Sequence, residues 1–201
     1  MQSSTPCEPA KATAWNSGSK QLGSKQLYDA LGDKKQNMDL ICYFRMLSQY
    51  NRIANQRLFE CCGNLDDAEF RRERPGSFGS IVGLLNHVLL GDRIWMARFQ
   101  GSGHETPPLN TILFDQFADL RAARVSEDDQ IEAFFRSVDT GFLNRTFPYI
   151  NNKGFSYVES APVAVGHFFN HQTHHRGQVH AMLSQANLQP PSLDLHRIMN
   201  P

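Results

Sequence analysis

His167-Phe168-Phe169-Asn170-His171-Gln172-Thr173-His174-His175-Arg176-Gly177-Gln178 places four of the chain's eight histidines within nine positions. Residues four apart share a helix face, so His171 and His175 can present two imidazoles side by side, which is half of a divalent-metal site. That spacing alone is common among surface and hydrogen-bonded core histidines, and the angular positions weigh one reading against the other. At 100° per residue, Ala164, Val165, Phe168, Val179, Met182, Leu183 and Ala186 gather in one sector, the face that packs on the rest of the protein. His175 lies within about 40° of the middle of that sector and His171 at about 75°, whereas His167, His174 and His180 fall beyond about 100°. The i, i+4 pair therefore points into the core or along its edge, and the other three point away. An inward imidazolium is costly to bury, so a neutral imidazole bound to a cation resolves the placement.

Outward from this helix the period stays helical. Leu40, Phe44, Leu47, Ala54 and Leu58 recur at three- and four-residue steps, with Asp39 as N-cap and Gly63 beyond the end, which predicts a first helix over 39–61. After Pro75-Gly76-Ser77, a second helix carries Ile81, Leu84, Leu85, Val88, Leu89, Trp95, Met96 and Phe99 before Gly101 stops it. It is apolar over most of its circumference, as expected of a helix buried among others. A third helical region spans 114–144, and Ser126-Glu127-Asp128-Asp129 within it has the form of a helix start. Thr146–Ile150 and Phe155–Val158, around Asn151-Asn152-Lys153-Gly154, read as a small hairpin. Ser160 and Pro162 then open the histidine-bearing helix, which ends near Asn187. These elements predict an all-α fold, an antiparallel four-helix bundle with a small β-hairpin before the last helix, and bundle cores are places where facing side chains build metal sites.

Residues 1–37 differ. They are polar, contain the near-duplication Ser19-Lys20-Gln21-Leu22 and Ser24-Lys25-Gln26-Leu27, and cannot bury enough apolar surface to offset their ordering entropy. They read as a flexible extension before a domain over 38–201. Twenty basic residues balance twenty acidic ones in a chain of 201, so no electrostatic footprint for nucleic acid or anionic lipid is present. No apolar run reaches the length of a membrane span, and the chain reads as soluble and cytoplasmic. Cys7, Cys42, Cys61 and Cys62 lack a Cys-x-x-Cys spacing and read as reduced thiols, with Cys42 in the core.

A tight site needs a third ligand from another helix. His87, a lone histidine in the most apolar helix, is the stronger candidate, and His104, in a Gly-Ser-Gly-His loop, is the other. Asp92 has two readings, accepting an imidazole N–H or pairing with an arginine. Arg176 meets either an anionic substrate or an ion-pair partner. Asn51 is a buried polar contact near the site or a helix-packing one.

Asn86-His87 followed by Asp92-Arg93-Ile94-Trp95, then Asn170 to Gln178, then Leu193-Asp194-Leu195-His196-Arg197, resembles the DinB-like (DNA-damage-inducible) metalloprotein family over about 38–201. The resemblance implies a four-helix bundle, often dimeric, that holds a divalent metal on three histidines, which carried onto this chain are His87, His171 and His175. Three neutral imidazoles leave coordination positions open, as a catalytic metal requires, and zinc and nickel both suit such ligands. Relatives in the wider superfamily include thiol-dependent S-transferases and isomerases, and some members are described as metal-dependent hydrolases. The resulting expectation is a metal-dependent transferase or hydrolase acting on a small molecule, with a low-molecular-weight thiol as a candidate co-substrate and a homodimer as the assembly. The alternative is a stress-related metal-binding dimer without turnover.

Overall fold

The computed structural model describes residues 39–102, 107–151 and 153–200. The extension expected over 1–37, Cys7 and His104 lie outside the described residues.

Helix α1, Leu40–Cys62, begins where Asp39 accepts a hydrogen bond from the Ile41 amide at 3.2 Å, and buries Ile41, Phe44, Ser48, Asn51, Asn55, Leu58 and Cys62 along one stripe. Cys42 is off that stripe and only half-buried, which corrects its placement in the core. A short helix α2, Asp67–Arg71, follows. In α3, Ile81–Gln100, Ser80 caps the first turn and Gly101, at φ 71°, closes the last in the left-handed region. Sixteen of its twenty residues are buried, which makes it the innermost helix of the fold. Helix α4, Phe117–Ser137, runs unbroken through Ser126–Asp129. The acidic cluster that resembles a helix start is instead partly core, since Glu127 and Asp128 are buried and meet Arg93 and Arg124. A single turn α5, Thr140–Leu143, leads into β1, Thr146–Ile150, and β2, Ser156–Ser160, paired antiparallel with Tyr149 opposite Tyr157. Helix α6, Ala161–Gln185, carries the histidines, and α7, Leu195–Met199, packs back on α1.

The fold is thus mostly helical with a two-stranded hairpin ahead of the last long helix, and cross-helix contacts give the directions. Phe59 meets Phe117 and Phe44 meets Phe135, so α1 and α4 are antiparallel. His87 meets His175 and Trp95 meets His167, so α3 and α6 are antiparallel. Asp92 meets Arg124 and Phe99 meets Phe135, so α3 and α4 run parallel. Purely antiparallel neighbours, the arrangement inferred from short connections, are therefore not what forms. The segment after α3 returns along that helix before α4 starts, and Asn86 clamps it there. The Asn86 amide donates to the Phe114 carbonyl at 2.9 Å while its oxygen accepts from the amides of Leu113 and Phe114, both at 2.9 Å.

Two large apolar clusters fill the interior, beside a small one of Tyr50, Ala54 and Ile198. One gathers Phe99, Phe135, Phe147 and Phe168, and the other gathers Leu58, Leu84, Leu89, Leu120 and Leu183. Between them, at the matching level of each long helix, lies a buried polar layer. Arg124 pairs with Asp92 at 2.5 Å and with Asp128 at 2.9 Å. Asn55 donates to Asp128 at 2.9 Å, Gln172 donates to Asp92 at 2.7 Å, and Arg176 donates to Asn51, Asn55 and Gln172. Burial pushes the Asp92 carboxyl up to about 7, with Arg124 drawing it the other way. Buried ions of this kind are costly to leave without partners. Replacing Arg124 by Ala strands Asp92 and Asp128 together, and is expected to destabilise the fold by about 3–5 kcal/mol in urea unfolding; an unchanged midpoint would show that the layer is held by its neutral amides.

Candidate metal centre

His87 leaves the middle of α3, and His171 and His175 leave consecutive turns of α6, on the side of that helix that faces α3. The three rings converge. His87 Nε2 lies 3.1 Å from His171 Nε2 and 3.2 Å from His175 Nε2. Each offers one ring nitrogen to a group in which all three lie within 4.8 Å of one another.

The outer nitrogens decide what the inner ones can do. His87 Nδ1 sits 3.0 Å from the Leu109 carbonyl, which can only accept, so Nδ1 carries the proton and Nε2 is a bare lone pair. His175 Nδ1 donates to Gln178 Oε1 at 2.8 Å, which leaves its Nε2 bare as well. Two lone pairs thus face each other with no proton between them. Such a contact is repulsive unless a cation stands there, and ligand nitrogens bonded at about 2.0–2.1 Å to one ion lie about 2.9–3.4 Å apart. The donor set and its spacing fit a divalent ion.

The surroundings keep the imidazoles neutral and fixed. Burial first, and the neighbouring histidines second, push His171 down to about 3, and burial lowers His87 and His175 too. The Phe78 ring stacks on His87 with centroids 3.7 Å apart and planes 18° from parallel. Gly91 gives His171 its place: a Cβ there would stand 2.9 Å from His171 Cε1. His87 and His171 also line a cleft of about 260 Å³ bordered by Trp95, Arg98, Tyr149 and His167.

The sequence profile of the DinB family matches residues 34–201. The chain belongs to the DinB family. Protein DinB of Bacillus subtilis (strain 168) is 28% identical to it over 149 residues, covering 70% of this chain and 84% of that protein.

The three histidines that the family resemblance implied as ligands are the three that the fold brings together. His174 is exposed, as the helix angles require, whereas His167, also exposed, borders the cleft and approaches Trp95 with ring centroids 5.2 Å apart. Of the two readings of Asp92, pairing with an arginine is the one observed, and it reaches no imidazole. Among the described residues Arg176 has no carboxylate within ion-pair distance; it is buried against amides and the Tyr50 ring. Asn51 is its helix-packing partner. Cys62 is buried, which pushes its thiol up to about 12 and makes it a poor nucleophile. Sequence reasoning passed over Phe78, Gly91, Gln178 and the Leu109 carbonyl. Gly91, a glycine within an otherwise apolar helix, was the one visible signal of a close approach.

A histidine whose pKa is lower folded than unfolded makes the unfolded chain bind more protons, so stability rises with pH across the interval between the two values. For His171 that interval runs from about 3 up to about 6.5, the unfolded value. The difference in denaturant midpoint between the chelator-treated parent and His171→Gln is expected to move in the parent's favour from about pH 4 to about 6.5 and to level off above it, while the raised Asp92 carboxyl acts in the opposite sense in both proteins. Identical profiles for the two proteins would overturn this account of His171.

Proposed function

We propose that this DinB-family protein binds one divalent cation per chain through His87, His171 and His175, and that it is a metal-dependent enzyme of transferase or hydrolase type acting on a small molecule. The observation that carries the reading is the pair of bare Nε2 atoms of His87 and His175, 3.2 Å apart with no proton to share. Zinc and nickel are the proposed ions, since both suit imidazole nitrogen. We read the four long helices as a four-helix bundle built around this centre.

A divalent ion held there acts as a Lewis acid that acidifies a water or a substrate thiol brought to it. The chain's own residues do the rest. The Leu109 carbonyl and Gln178 fix which ring nitrogen of His87 and His175 is available, as partners behind metal ligands commonly do. Phe78 covers the His87 ring and keeps water from that side. The cleft opens the centre to a ligand along His87 and His171. A site built only to sequester metal is closed by a fourth protein group. Among the described residues the group consists of three histidines, and two of them border open space, which favours turnover over storage. A low-molecular-weight thiol is the proposed co-substrate in the transferase form of the reading.

Elemental analysis of the purified protein is expected to find about one zinc or nickel per chain, and His87→Ala is expected to lose it while keeping the far-ultraviolet circular dichroism of the parent. Absence of metal from both, at equal folding, would overturn the reading. Gly91→Ala tests the geometry separately. The added methyl raises helix propensity by about 1 kcal/mol yet intrudes on His171, so metal affinity is expected to fall at least tenfold in a competition titration with a chromogenic chelator. Unchanged affinity would show that His171 can bind from elsewhere.

A further inference from the structure

The cleft beside the three histidines contains a cation that the described residues do not neutralise. Arg98, in the last turn of α3, is half-buried, with its guanidinium carbon 4.7 Å from the Trp95 ring centroid and 4.2 Å from that of Tyr149. Among the described residues no carboxylate lies within ion-pair distance of it and no acceptor takes a hydrogen bond from it; besides the two rings, its charge acts on His167. The buried arginines elsewhere behave differently. Arg74 pairs with Glu69, Arg124 with Asp92 and Asp128, and Arg176 with three amide oxygens. Glu159 borders a neighbouring depression beside Tyr149 and His167 but forms no ion pair with Arg98.

Stacking against aromatic rings fixes the plane of a guanidinium while leaving its N–H fork unused, and that fork matches the two oxygens of a carboxylate. A partly desolvated charge without a counter-ion is a cost to the folded protein that a ligand can remove. The same cleft is bordered by His87 and His171, so one molecule in about 260 Å³ meets both the guanidinium and the histidine centre. Its walls at Trp95 and Tyr149 suit an apolar or unsaturated middle.

We propose that Arg98 is the substrate-recognition residue of this cleft, and that the substrate is a small organic acid whose carboxylate is forked by Arg98 while its other end lies at His87 and His171. The second half of this assignment rests on the metal-centre reading; the first half does not.

Calorimetric titration of 3-phenylpropionate and of 3-phenylpropionamide into the full-length protein, as purified and after chelator treatment, tests it. The carboxylate is expected to bind about tenfold or more tightly than the amide in both preparations. Arg98→Gln is expected to bring the carboxylate down to the level of the amide, and Arg98→Lys to retain part of the difference. Equal affinity for the two probes, no binding of either, or a preference that survives Arg98→Gln would overturn the proposal. A preference confined to the metal-containing preparation would overturn it as well, because the carboxylate would then be bound at the histidines. Should Arg98→Gln fail to fold, the comparison of probes on the parent protein decides alone. Failure of the metal-centre reading shows up elsewhere, as a protein that carries no metal as purified yet still prefers the carboxylate.

Discussion

The buried layer of Asn51, Asn55, Asp92, Arg124, Asp128, Gln172 and Arg176 is the constraint on which the rest of the molecule depends. Each of the four long helices contributes to it, and the charges balance as two carboxylates against two guanidinium groups. Apolar contacts above and below tolerate small slips, because burial is non-directional. A hydrogen-bonded layer does not: a shift of one residue would leave buried charges without partners, at several kcal/mol each in order of magnitude. The layer therefore sets the rotation and height of α6. Gln172 and Arg176 must face the layer, and with that fixed, His171 and His175, the preceding residues on the same two turns, are turned toward α3.

The direction of the helices contributes a second part of the centre. Because α3 and α4 run parallel, the chain must travel back along α3 before α4 can begin, and Asn86 ties the returning strand to the helix it has just left. That return carries the Leu109 carbonyl to His87 Nδ1, where it fixes the tautomer. An antiparallel neighbour with a tight turn would leave no backbone at that place. The arrangement of the helices and the chemistry of one ring nitrogen are thus connected through a single segment, and adjacent residues Asn86 and His87 serve the two ends of it.

How much of this was legible in the sequence follows from the range of each interaction. Helix ends were readable because their signals are local: Asp39, Gly63, Gly101 and Ser160 stand where the structure uses them as caps. The inward turn of His171 and His175 was readable from the 3.6-residue period alone. His87 was readable only as the stronger of two candidates, a lone histidine in the most apolar helix against His104 in a loop, since α3 is apolar nearly all round and has no face that periodicity can single out; the family resemblance then implied it as a ligand. Glu127 and Asp128 misled, because acidic residues beside a serine look alike whether they cap a helix or neutralise Arg93 and Arg124 from other positions. Asp92 and Arg176 were recognisable as inward polar groups, but their partners are 32 and 125 residues away in sequence, and a single sequence carries no record of which distant group meets which.

Arg98 has no such pairing among the described residues. Its neighbours Trp95 and Tyr149 come from α3 and β1, so the hairpin, which contributes little to the main core, supplies one wall of the cleft and one of the two rings that hold the guanidinium. Arg74 and Arg124 pair with carboxylates and Arg176 with amide oxygens, whereas Glu159 on the neighbouring strand forms no ion pair with Arg98. The Arg98 side chain instead borders the space beside the histidines, and among the described residues its donors meet no acceptor. On the proposed reading, a cationic fork and a cation held at the histidines would repel each other across one small cavity unless something negative lay between them. The proposed acid would span the two and give the cavity a polarity, with its carboxylate at Arg98 and its other end at His87 and His171.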